Sequence, residues 1–89
     1  MDKQWLLYIL ECKDGTLYTG ITDNLQRRLD AHKSGKGAKY TKGRAPLTLR
    51  YTEQCGNHSQ ALRREIEIKK LTRQERIALF RRDQTEVEI

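Results

Sequence analysis

The chain has no apolar run long enough to cross a bilayer. A spanning helix needs about 20 such residues, and the most apolar stretch is WLLYIL at positions 5–10. That stretch also lacks the basic start and small-residue cleavage site of a secretory signal, so the expected location is the cytoplasm. Cysteine is scarce. Cys12 and Cys55 are the only two, and neither belongs to a CxxC or Cys/His spacing of the kind that holds zinc. Without a secretion signal they are expected as small buried apolar side chains rather than as a disulfide. There is one proline, Pro46, and no internal repeat, low-complexity segment or linker within the 89 residues. A chain of this length makes a single domain with one core.

Acid is absent where base is dense. Lys33 to Arg50 holds six basic residues (Lys33, Lys36, Lys39, Lys42, Arg44, Arg50) and no Asp or Glu. Arg63 to Arg82 holds eight more against Glu65, Glu67 and Glu75, within a total of 18 Lys+Arg, 12 Asp+Glu and a net charge of +6. A clustered excess suits a polyanion partner, nucleic acid before membrane, since no amphipathic anchor or lipidation motif accompanies it. The plain alternative is a solvated basic surface.

Hydrophobic patterning predicts the elements. Residues 4–12, QWLLYILEC, are apolar on both alternating faces, as in a central strand covered on both sides. Lys13-Asp14-Gly15 is a turn signal, and TLYTGI returns as a second strand. Thr22-Asp23-Asn24 supplies N-cap candidates for a helix to about Ser34, with Leu25 and Leu29 on a face beside Arg28 and His32. SGKGAKYTKGRAP, 34–46, is a basic loop, and LTLRYTEQC, 47–55, is a third strand. Asn57 or Ser59 caps the next helix, with Ala61, Leu62 and Ile66 inward. The capping box Thr72-Arg73-Gln74-Glu75 starts another, with Ile77 and Phe80 inward and Arg76, Arg81 and Arg82 outward. The expected class is α+β, a small three-stranded antiparallel sheet flanked by helices in the order β-β-α-β-α-α, over 1–83, with 84–89 as a tail.

Loop length decides what the two hairpin tyrosines share. A two-residue loop at Asp14-Gly15 pairs Glu11 with Tyr18 and sends the two phenols to opposite faces. A three-residue loop pairs Leu10 with Tyr18 and Tyr8 with Gly20, so both phenols share one face and Gly20 leaves room opposite Tyr8. The three-residue form, with Gly15 left-handed, is the expectation. Taken alone, each tyrosine is core packing, and Glu65 is a helix carboxylate paired with Lys69 four residues on.

Taken together, these residues resemble the GIY-YIG nuclease family. YIL at 8–10 and YTG at 18–20 stand at its two namesake motifs, keeping both tyrosines and Gly20, with Thr19 in place of isoleucine. TDNLQRRLDAH supplies Arg28 and, four residues later, His32. GAKYTKGRAP is similar to the basic loop of small bacterial stand-alone members and of structure-specific endonuclease relatives, and ALRRE brings Glu65. The resemblance spans about residues 4–82. It implies the GIY-YIG fold and hydrolysis of DNA phosphodiester bonds, in branched, nicked or single-stranded DNA, during repair or processing.

The resemblance also implies roles. Glu65 would hold Mg²⁺ or Mn²⁺, and Arg28 would clamp the scissile phosphate. Tyr8 would accept a proton, its phenol made more acidic by positive neighbours, with Tyr18 positioning and His32 relaying a proton or bonding phosphate. Lys33, Lys36, Lys39, Tyr40, Lys42, Arg44 and Lys69 would contact nucleic acid, while Gly15 and Gly20 would be structural. Specificity would come from the domain itself, from DNA shape or from a partner protein. The competing reading is a non-catalytic nucleic-acid-binding module of the same fold.

Overall fold

The structure, a computed structural model, describes residues 4–36, 43–44, 46–83 and 87–88. Its elements are β1 (Trp5–Glu11), β2 (Leu17–Thr22), α1 (Leu25–Lys33), β3 (Thr48–Gly56), α2 (His58–Lys69), α3 (Arg73–Asp83) and β4 (Val87–Glu88). The three expected strands form an antiparallel sheet with β1 in the middle. Out of the expected tail, the two-residue β4 pairs with Thr48 and Leu49 at the far edge, giving the order β2-β1-β3-β4.

The central place of β1 follows from its double apolar pattern. Leu7, Tyr8, Ile9 and Leu10 are all fully buried, each contributing about 1.5–3 kcal/mol of apolar burial. Alternation then divides them between two layers. Tyr8 and Leu10, with Cys12, pack with Leu29, Leu47 and Leu49, and Leu25 of α1 closes that side. Leu7 and Ile9 pack with Tyr51, Ile68 and Phe80 beneath α2 and α3.

The helix ends are capped as their sequences suggest. Asn24 accepts from the Arg27 amide and starts α1, and Asn57 and Gln60 form a reciprocal capping box on α2. Thr72 and Glu75 do the same for α3, at 2.9 and 3.2 Å. Ile77 and Phe80 of α3 face the core as expected.

Two side-chain expectations change. Leu62 and Ile66 of α2 are exposed, at 39 % and 55 %, while Ala61 and Ile68 are buried. The buried stripe of α2 therefore runs through 61, 65 and 68, one position round from the apolar reading. Arg76 is half-buried rather than outward; the side chains of Arg81 and Arg82 lie outside the described residues. Both cysteines are free, Cys12 buried and Cys55 half-buried.

Candidate functional site

The β1–β2 turn has the three-residue form. The Cys12 amide donates to the Thr16 carbonyl at 2.8 Å, the Gly15 amide donates back to Cys12, and Gly15 has φ 85°. Asp14 accepts from both the amide and the hydroxyl of Thr16, which tightens the turn and holds its carboxyl below the usual range. The register that results pairs Leu10 with Tyr18 and Tyr8 with Gly20. Both phenols thus face α1, with ring centroids 6.2 Å apart. Gly20 is where it is because nothing larger fits. A Cβ there would lie 2.6 Å from the Tyr8 hydroxyl and 3.0 Å from the Tyr18 ring.

Helix α1 lays Arg28 and His32, one turn apart, over these rings. Arg28 Nε–H donates to the Tyr8 oxygen at 3.3 Å, and that oxygen lies 2.9 Å from His32 Nε2. The phenol oxygen thus links the Arg28 guanidinium to the His32 imidazole. The His32 ring also meets Tyr18 edge-on at 5.3 Å. Burial, and then the Arg28 charge, push the His32 pKa down to about 4, so the ring is neutral near pH 7. Tyr8 goes the other way. Its enclosure raises its pKa to about 12, outweighing the hydrogen bond from Arg28. Arg28 alone does not acidify Tyr8: the ring is 0 % exposed, so desolvation of the phenolate dominates. Tyr18, half-buried, is the phenol that borders open space. Hydrogen bonding to Tyr8, and further interaction with Tyr18, raise the Arg28 pKa and keep its charge in place.

Glu65 sits on the inward stripe of α2 between Ala61 and Ile68, its side chain only 19 % exposed and 3.4 Å from Lys69 Nζ. The i,i+4 pairing is present, but on the buried side of the helix. A carboxylate there contributes nothing to apolar packing. Its neighbour Arg64 anchors the helix to β3 by a forked bond to Glu53, at 2.7 and 3.0 Å, and Glu53 also accepts from Tyr51 at 2.6 Å. Among the described residues no three His, Cys, Asp or Glu side chains group as a metal cage. A single half-sheltered carboxylate fits instead a hard divalent ion that keeps its waters and takes phosphate oxygens.

Lys33 and Lys36 are exposed at the end of α1. Arg44 ties the loop to the hairpin through an ion pair with Asp14 and a backbone bond from Lys13 to its carbonyl. Lys39, Tyr40 and Lys42 lie outside the described residues. Two residues carry no site role in the sequence reading. Thr19 Oγ1 and Arg76 Nε are each enclosed without a hydrogen-bond partner among the described residues. Both line an open cavity of about 240 Å³ together with Leu17, Tyr18 and Lys69. Only the spacing of Lys69, Arg73 and Arg76 hinted at this, and the break between α2 and α3 hid it. His58, without an expected role, packs its ring 4.4 Å from Trp5.

Comparison with known proteins agrees with this architecture. The family model described as the GIY-YIG catalytic domain matches residues 4–78. A UPF0213 protein of Halobacterium salinarum is 54 % identical over 74 residues, covering 83 % of this chain and 96 % of that protein. Another, from Oceanobacillus iheyensis, is 49 % identical over 80 residues, covering 90 % and 93 %. The solution NMR structure of a UPF0213 protein from Bacillus halodurans superposes with a TM-score of 0.55 at 47 % identity, covering 85 % of this chain and 81 % of that one. A protein from E. faecalis does so with a TM-score of 0.62 at 41 % identity, covering 88 % and 84 %. With paired tyrosines across Gly20, an arginine–histidine helix above them and an inward glutamate on α2, the chain belongs to the GIY-YIG catalytic domain family.

Proposed function

We propose that this chain is a divalent-metal-dependent endonuclease that hydrolyses DNA phosphodiester bonds in branched, nicked or single-stranded DNA. The observation that carries the reading is the bonded set of Tyr8, Arg28 and His32 beside Tyr18 on one sheet face. Tyr8 holds Arg28 by one edge, and the remaining guanidinium donors suit the oxygens of a scissile phosphate. Such fixed donors gain strength as charge builds on the phosphate. Tyr18 orients the attacking water from the open side. His32, neutral, keeps Tyr8 and Arg28 in register. Glu65 would hold Mg²⁺ or Mn²⁺, which when bound supplies Lewis-acid stabilisation of the phosphate and a more acidic water. The exposed Lys33 and Lys36, with the basic loop after them, suit sequence-independent contacts to backbone phosphates.

A nicking assay on branched, single-stranded and duplex DNA tests this, with Mg²⁺ or Mn²⁺ and three proteins: wild type, Arg28→Ala and Glu65→Ala. Wild type should cleave only with metal. Arg28→Ala should lose about a hundredfold in rate, and Glu65→Ala should lose cleavage while still binding DNA. One observation favours a non-catalytic nucleic-acid-binding module: the Glu65 carboxylate is already engaged by Lys69. That reading wins if pure wild-type protein binds DNA in a salt-sensitive way but cuts none of the substrates.

A further inference from the structure

The β2 edge carries positive charge that the proposed chemistry leaves unused. The cavity beside Tyr18 adjoins a second one of about 230 Å³, lined by Thr16, Leu17, Arg73 and Arg76. The two share Leu17 and Arg76 and so form one groove along the edge strand. Arg73, Arg76 and Lys69, the last also paired with Glu65, line it, and no carboxylate does among the described residues. The nearest acids on these helices are occupied: Glu65 pairs with Lys69, and Glu75 caps α3 through Thr72. Arg73 is fixed by a bond from its guanidinium to the Gly15 carbonyl, at the turn end of the groove. Arg76, where the two cavities meet, and Thr19, at the Tyr18 end, each enclose a polar atom, Nε and Oγ1, that has no hydrogen-bond partner among the described residues. Enclosed donors of this kind ask for an acceptor that the protein itself does not supply.

We propose that Lys69, Arg73 and Arg76 form a phosphate-binding groove that takes the nucleic-acid backbone to one side of the cleavage point, from Tyr18 toward the β1–β2 turn. The inference rests on the nuclease reading for its ligand. A phosphodiester fits the groove because it is anionic, accepts from guanidinium, ammonium and hydroxyl donors, and repeats along a strand. Tyr18 borders both this groove and the Arg28–His32 face, so a strand held here has its neighbouring phosphate at the catalytic face.

The test is the salt dependence of binding to a fluorescein-labelled single-stranded DNA oligonucleotide, read by fluorescence anisotropy. Arg76→Met keeps the aliphatic stem and removes the charge. It should weaken binding about fivefold near 0.15 M salt and make the log–log salt slope shallower by about 0.7, with Arg76→Lys restoring much of the slope. Because Arg76 is half-buried, the exposed pair Lys69→Gln/Arg73→Gln serves as the second variant and should flatten the slope by about 1.4. A wild-type slope in both variants, with Lys36→Gln flattening it, would overturn the groove and leave the nuclease reading standing. No salt-sensitive binding by wild type would overturn both.

Discussion

His32 is 3 % exposed and bonded to a phenol, and its neutrality makes stability depend on pH. Its folded pKa of about 4 lies below the ordinary 6.5, so between those values the unfolded chain binds more protons. Stability therefore rises with pH through this window, and the contribution is lost as pH falls from about 6.5 to about 4. The full swing is on the order of 3 kcal/mol. Urea melts across that range should show the slope in wild type and a flatter profile in His32→Gln. Gly20 makes a steric prediction on the same cluster. In Gly20→Ala the new Cβ meets Tyr8 Oη at 2.6 Å and Cζ at 2.8 Å. Tyr8 has no open direction to retreat, being buried and bonded on both sides. Overpacking of this kind costs about 1–3 kcal/mol, so the urea midpoint should fall, and any cleavage activity should fall further than stability alone explains.

At the scale of elements, capping was legible and docking was not. Asn24, Asn57 and Thr72 each start the helix that their side-chain chemistry suggests, because a cap is a contact over three residues. Asn57→Ala should cost about 1 kcal/mol, measured as a drop in thermal midpoint, and the replacement Asn57→Ser should recover most of it. The inward face of α2 is a different matter. Apolar Leu62 and Ile66 face out, while Arg64 and Glu65 lie on or beside the sheet side. Arg64 decides this by its forked bond to Glu53 on β3, a partner 11 residues away whose position no helical pattern reveals. Losing it in Arg64→Met should cost about 2 kcal/mol. It should also loosen the turn that presents Glu65, so metal-dependent cleavage should drop while the Arg28 face is untouched. A loss of stability without any change in metal dependence would separate the two effects and leave Arg64 a purely structural anchor.

For the whole molecule, charge and topology act together. A net charge of +6, with basic residues clustered in 33–50 and 63–82 of the sequence, predicts nucleic-acid binding that weakens steeply with salt. Each phosphate contact adds about 0.7 to the slope for single strands and about 0.9 for duplex. A slope near zero would leave the basic surface as mere solubility. The sequence by itself determined the α+β order of elements, the central place of β1, the three-residue turn and the shared face of Tyr8 and Tyr18. These depend on period-two alternation, local turn geometry and caps, all of which act over a few residues. Its resemblance to the GIY-YIG family also singled out Arg28, His32 and Glu65. Only the tertiary structure decided how those groups behave. Enclosure of Tyr8 by Gly20, Arg28 and His32 overrides the acidifying effect of nearby positive charge, and the angle at which α2 docks turns Glu65 inward. The groove of Lys69, Arg73 and Arg76 exists because two helices converge on the β2 edge. Desolvation and helix docking depend on residues distant in the chain meeting in space, which no local pattern contains.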